Sequence, residues 1–159
     1  MEPRLDYRTL SPQGVAALGQ LQRYIDGCGL EHSLLELVKT RASQINGCAY
    51  CLDMHTKDAR AAGESEQRLY TLSAWRETPF FSERERAALA WTEAVTEISH
   101  SHIDDALFAE VREHFSEKEI VDLSLAVVAI NGWNRLAVPF RAAVGHYKPR
   151  TTRAAAAAS

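Results

Sequence analysis

The sequence predicts an all-α fold in a single domain, on three observations. Alanine and leucine, at 24 and 16 residues, outnumber valine and isoleucine, at 9 and 6, which favours helix formers over the β-branched residues that strands prefer. Apolar residues recur at three- and four-residue steps. Capping and breaking residues stand where such stretches begin and end. The 159 residues can bury a core without metal or disulfide staples. The domain is expected over residues 1–147, with 148–159 as a basic and then alanine-rich tail.

Ser11-Pro12 opens the first expected helix, serine as cap and proline in the first turn, and Val15, Leu18, Leu21, Tyr24 and Ile25 follow at helical steps until Cys28-Gly29. A second runs from about His32, with Leu34, Leu37, Val38, Arg41 and Ile45 on one stripe, and stops at Asn46-Gly47. The third starts at about Cys48 and ends at Ala62 before Gly63. A shorter piece spans Ser65 to roughly Trp75, ahead of Thr78-Pro79. Ser82-Glu83-Arg84-Glu85 and Ser116-Glu117-Lys118-Glu119 have the S-x-x-E form, in which serine and glutamate reciprocally satisfy free N–H groups. The first opens a long helix through Leu89, Val95 and Ile98. A loop from Ser99 to Ile103 and a helix from Asp104 to about Phe115 lie between the two boxes, with Leu107, Phe108 and Val111 as the apolar side. The last helix is apolar on nearly every face from Ile120 to Ile130, which calls for a central place and for cover by another subunit. Pro139 is expected to kink or end it. The sum is six to seven helices, with a C-x-x-C at the N-terminus of a central one.

Composition excludes several functions. With 18 basic against 21 acidic residues the net charge is -3, both signs interspersed, so neither nucleic acid nor an anionic membrane is an expected partner. The longest apolar run is broken by Asp122 and Ser124, too early for a membrane span. There is no Gly-rich phosphate loop and no G-x-S-x-G. Three cysteines make no disulfide framework, and Met1-Glu2-Pro3-Arg4-Leu5-Asp6 has no signal-peptide pattern, so a reducing, cytoplasmic address is expected.

The chemistry concentrates at Cys48-Ala49-Tyr50-Cys51. On a helix the three-residue step puts both sulfurs on one face, near enough for a disulfide when the first cysteine sits at the first turn. His55, four residues beyond Cys51, stacks one turn below that thiol and can take its proton. Cys48 is nearer the positive helix end, but Cys51 has the base. A paired base supplies a direct proton route, so Cys51 reads as the attacking thiol and Cys48 as the resolving one. Zinc is the weaker reading, because a second ligand pair is missing and His55 with Glu36, Cys28 or His32 would be an improvised set. A thioredoxin fold lacks its βαβ context. Inert core thiols are the remaining bland alternative.

Glu36-x11-Cys48-x2-Cys51-x3-His55, within Glu36-Leu37-Val38-Lys39-Thr40-Arg41-Ala42-Ser43-Gln44-Ile45-Asn46-Gly47-Cys48-Ala49-Tyr50-Cys51-Leu52-Asp53-Met54-His55, resembles the core of the carboxymuconolactone decarboxylase superfamily, in its alkylhydroperoxidase AhpD-like branch. The resemblance implies an all-α subunit that forms a homo-oligomer, a trimer or hexamer, and a thiol-dependent peroxidase needing no cofactor or metal. Cys51 would attack a hydroperoxide and become a sulfenic acid, Cys48 would condense with it to a disulfide, and His55 and Glu36 would relay protons. A thiol reductant, a lipoyl or thioredoxin-like donor, would restore the pair. By itself Glu36 reads as a solvated helix carboxylate paired with Lys39 at i+3; the resemblance moves it into the relay. Tyr50 departs from the branch, which carries histidine between the cysteines, and tyrosine is unsuited to shuttling protons near neutral pH. The branch that names the superfamily usually lacks the cysteine pair, which disfavours lactone decarboxylation. The alternative to an enzyme is a non-catalytic redox sensor or adaptor oligomer using the same disulfide.

Other residues rank lower. Tyr50 and Trp133 are candidate pocket residues, Trp133 reading first as core. Trp75, Phe80 and Phe81 read as packing before they read as an approach to Cys51. Cys28 reads as a small buried thiol, and His100 and His102 as exposed loop residues.

Overall fold

The computed structural model describes residues 2–149. Residues 150–159, most of the expected tail, lie outside the described residues. Among the described residues there is no strand. Eight α-helices follow in order along them: α1 (Tyr7–Leu10), α2 (Pro12–Asp26), α3 (His32–Ile45), α4 (Ala49–Ala61), α5 (Glu66–Thr71), α6 (Glu83–Thr96), α7 (Asp105–His114) and α8 (Glu117–Phe140). A 3-10 segment, Leu72–Glu77, joins α5 to α6. The helix beyond the expected six or seven is the one-turn α1, capped by the Asp6 side chain and too short to show a periodicity.

Both S-x-x-E boxes form reciprocal caps, Ser82 with Glu85 and Ser116 with Glu119. The expected helix from Ser65 to Trp75 is instead divided: α5 ends at Thr71, where the backbone leaves α geometry (φ -96°, ψ 0°), and Ala74 (φ -119°, ψ 31°) kinks the 3-10 segment that follows. Helix α6 stops at Thr96, leaving Ile98 exposed. Helix α8 runs unbroken through Gly132 and Trp133, and Pro139 stands one residue before its end, where Arg141 adopts a left-handed conformation. Arg4 fastens the N-terminal arm there, its guanidinium and backbone N–H donating to the carbonyls of Pro139 and Phe140 at 3.1 and 3.0 Å.

The most enclosed element is α3, where Leu34 to Thr40, Ala42 and Ser43 are all buried. Its expected stripe is therefore too narrow: neighbours cover it on most sides. Arg41, placed on the apolar stripe, is half-buried and donates to Glu93 at 2.7 Å. Helix α8 buries Ile120, Leu123, Val127 and Ile130 along one face but leaves Val121, Val128 and Val138 at 58, 52 and 45% exposure on the other. Within one chain it is thus covered on one side only.

Three apolar clusters result. The largest joins α2, α3, α6, α7 and α8 through Ile25, Leu35, Val38, Ala88, Val111 and Leu123. A second holds Leu37, Leu72, Trp75, Phe81 and Leu89. Each large aliphatic side chain so buried contributes about 1.5–3 kcal/mol. The third, Ala42, Cys48, Cys51, Ile130 and Ala137, lies where α3, α4 and α8 meet and carries the cysteines. No helix among the described residues is long and apolar enough to cross a membrane.

Candidate active site

The turn from α3 to α4 sets the cysteines in place. Gly47 has φ +63°, a left-handed conformation that glycine adopts without strain, and the N–H groups of Gly47 and Cys48 donate back to the carbonyls of Gln44 and Ser43 at 3.2 and 3.0 Å. This closure of α3 delivers Cys48 directly to the cap position of α4. Asn46 ties the turn to α8: its amide donates to the side-chain oxygens of Asn131 and Asn134 at 3.0 and 2.9 Å, and to the Ala42 carbonyl. Asn134, itself buried, donates to Ser43 Oγ at 3.2 Å.

Cys48 and Cys51 are joined as a disulfide, with Cα atoms 5.3 Å apart and both residues 1% exposed. The Cys51 N–H donates to Cys48 Sγ at 3.3 Å, so Cys48 rather than Cys51 sits on the free N–H end of the helix. Cys51 instead lines a cavity of about 470 Å³, whose wall does not include Cys48.

His55 follows one turn along α4 on the same cavity wall and is buried. Its Nδ1 lies 2.9 Å from Glu36 Oε2 on α3. Lys39 Nζ donates to Glu36 Oε1 at 3.1 Å, so the i+3 pair read from sequence exists, but with both side chains buried rather than solvated. Burial pushes the Glu36 carboxyl up, and the hydrogen bonds and charges of His55 and Lys39 outweigh it, lowering the carboxyl to about 2. Glu36 is thus a buried anion that fixes the imidazole and leaves Nε2 as its free nitrogen.

Asp58, a further turn along α4, and Tyr147 also reach this wall. Sequence reasoning missed both. Asp58 continues the Cys51–His55 stripe at i+3, a signal that was there to find; Tyr147 is 89 residues distant and gives none. Tyr147 is held by its hydroxyl, which donates to both carboxylate oxygens of Asp58 at 2.8 Å. Burial and the Asp58 carboxylate push its phenol well above the ordinary value. The Gly145 N–H donates to Asp53 at 3.1 Å and Lys57 to the Tyr147 carbonyl at 3.2 Å, strapping this segment along α4. One donor atom each from Glu36, His55 and Asp58 lie within 4.8 Å of one another, which makes them the residues that could approach a cation; Lys39 already balances Glu36 there.

Tyr50 and Trp133 both line the cavity and are half-buried, so Trp133, read first as core, is wall. Trp75 and Phe81 belong to the separate second cluster, with Phe80 packed against it. Cys28 is a half-buried free thiol against the main core, and His100 and His102 are exposed.

Comparison with known proteins places the fold. Residues 12–94 match the profile of the Carboxymuconolactone decarboxylase family. The uncharacterized protein YdfG of Bacillus subtilis (strain 168) is 43% identical over 138 residues, covering 87% of this chain and 94% of its own. The crystal structure of a protein of unknown function from Agrobacterium tumefaciens, provisionally described as an antioxidant defence protein AhpD, superposes with a TM-score of 0.88 at 45% identity, over 92% of this chain and all of the other. The debrominase Bmp8 shares the fold at a TM-score of 0.77 and 22% identity, over 87% of this chain and 74% of its own.

Proposed function

The chain belongs to the carboxymuconolactone decarboxylase family, in its AhpD-like branch, and from that premise we propose that it is a thiol-dependent peroxidase reducing organic hydroperoxides. One observation carries the reading: Cys51 faces the cavity beside a histidine fixed by a buried carboxylate, while its bonded partner Cys48 stands behind the wall.

In the reduced pair, His55 takes the Cys51 proton at Nε2 while Glu36 holds the ring. The thiolate attacks the outer peroxide oxygen, the O–O bond breaks, and the departing alkoxide leaves as an alcohol with the proton that His55 returns. Cys51 is then a sulfenic acid. Cys48, whose position at the helix N-terminus favours its thiolate, attacks the Cys51 sulfur and expels the hydroxyl as water, which forms the disulfide. A dithiol of the lipoyl or thioredoxin-like type reverses this by thiol–disulfide exchange, itself becoming a disulfide. Tyr50 and Trp133 wall the bound substrate. A homo-oligomer, trimer or hexamer, would cover the exposed valines of α8, and a reducing compartment, the cytoplasm, would keep the pair in use.

Steady turnover of cumene or tert-butyl hydroperoxide with dihydrolipoamide tests the reading. The wild type should cycle and Cys51→Ser should not; turnover surviving Cys51→Ser overturns the assignment. A redox sensor would consume one equivalent of peroxide and stop, so sustained cycling separates enzyme from sensor.

A further inference from the structure

Cysteine chemistry accounts for one part of the cavity and leaves another unexplained. Much of the remaining wall is apolar or aromatic, from Tyr7, Met54, Ala61, Ala137 and Trp133. Most of the charges on it are answered within the chain. Lys39 pairs with Glu36 at 3.1 Å and Asp26 at 3.5 Å, and His55 and His32 lie 2.9 and 3.9 Å from the Glu36 carboxylate. Arg8 also lines the cavity, and among the described residues its guanidinium has no carboxylate partner. The nearby Asp6 carboxylate is spent on capping α1, accepting the Arg8 backbone N–H at 3.0 Å.

Arg8 is nonetheless held in place. Its guanidinium carbon lies 5.4 Å from the centre of the Tyr7 ring and 6.0 Å from that of Trp133, so two aromatic faces position the cation without neutralising it. The Arg4 contacts to the end of α8 anchor the same arm. The result is one cavity lined by a thiol, by apolar and aromatic side chains, and by an exposed planar cation with no carboxylate partner among the described residues.

We infer that the cavity selects organic hydroperoxides that also carry a carboxylate, and that Arg8 reads that carboxylate. The inference rests on the peroxidase reading of the same cavity. A guanidinium presents paired N–H donors in the geometry of a carboxylate. A phosphate monoester would bring a second negative charge into a cavity that Asp26 and Asp58 also line, which favours the singly charged group.

The test uses two matched substrate pairs: cumene hydroperoxide against its para-carboxylate, and a fatty-acid hydroperoxide against its methyl ester. In at least one pair kcat/KM should favour the acid by about fivefold, the scale of one partly exposed ion pair. Arg8→Gln should bring that ratio to about one, and Arg8→Lys should retain part of it. Equal rates within both pairs, or a ratio that persists in Arg8→Gln, overturns the inference. Failure of the peroxidase reading looks different, because no peroxide in either pair is then turned over. Quenching of tryptophan fluorescence by para-carboxycumyl alcohol and by cumyl alcohol decides in that case: Arg8-dependent preference for the acid supports the inference, and equal affinity refutes it.

Discussion

Replacing Glu36 by glutamine keeps the size of the side chain and removes the charge that fixes His55 and balances Lys39. The carboxyl is displaced from an ordinary 4.5 to about 2 in the folded protein, with its side chain 5% exposed. A displacement of that size corresponds to about 3 kcal/mol of folding stability near neutral pH. Because the folded carboxyl is the stronger acid, this stability is complete above the unfolded value and is lost as pH falls towards about 2. Glutamine also leaves Lys39 with only Asp26, 3.5 Å away, a loss already contained in that stability because Lys39 is one of the groups that lower the carboxyl. Urea unfolding of the oxidised wild type and of Glu36→Gln should show a gap of about 3 kcal/mol at neutral pH. Its pH-dependent part should shrink to less than half by about pH 3. Taking the difference between the two proteins removes the other acidic groups, Glu119 among them. A gap that stays constant, or widens on acidification, would refute a buried Glu36 anion held by His55 and Lys39.

Three further outcomes follow from particular contacts. Cys48→Ser leaves Cys51, the proposed attacking thiol, without its partner, so one equivalent of peroxide should leave a Cys51 sulfenic acid that dimedone captures in mass spectrometry; a label found only on Cys28, or none, would count against the assignment. Gly47→Ala meets no atom within 4 Å but must hold φ +63°, so it should cost about 1 kcal/mol in urea unfolding, and a neutral result would contradict the turn geometry. Tyr147→Phe removes two 2.8 Å bonds to Asp58 and should cost about 1 kcal/mol while speeding amide exchange at Gly145, whose N–H donates to Asp53; unchanged exchange would mean that the segment is held by other contacts.

The parts of this molecule legible in the sequence are those set by neighbours along the chain. The two capping boxes, the Asn46-Gly47 stop and the stripe through Cys51 and His55 are local patterns, and each appears as expected. The breadth of burial on α3 was not legible, since Glu36, Lys39 and Ser43 are polar and become interior only when α4 and α8 close over them. Lys39 shows the same limit: its spacing from Glu36 suggests a surface pair, and tertiary packing turns that pair into a buried one. Arg8 and Tyr147 reach the cavity from opposite ends of the chain, and nothing near either residue marks it as wall. The Cys51–His55 stripe was visible through spacing and Glu36 only through the family resemblance, whereas the shape and charge of the space in front of them needed the fold.

Whether Cys51 reduces peroxide and Cys48 resolves it is decided by a single-turnover experiment. Fully reduced protein is mixed with one equivalent of tert-butyl hydroperoxide, and the alcohol released and the Cys48–Cys51 disulfide formed are both quantified. One alcohol and one disulfide are expected per peroxide consumed, with both lost in Cys51→Ser. Peroxide consumption without that disulfide, or at an undiminished rate in Cys51→Ser, would contradict the proposed chemistry.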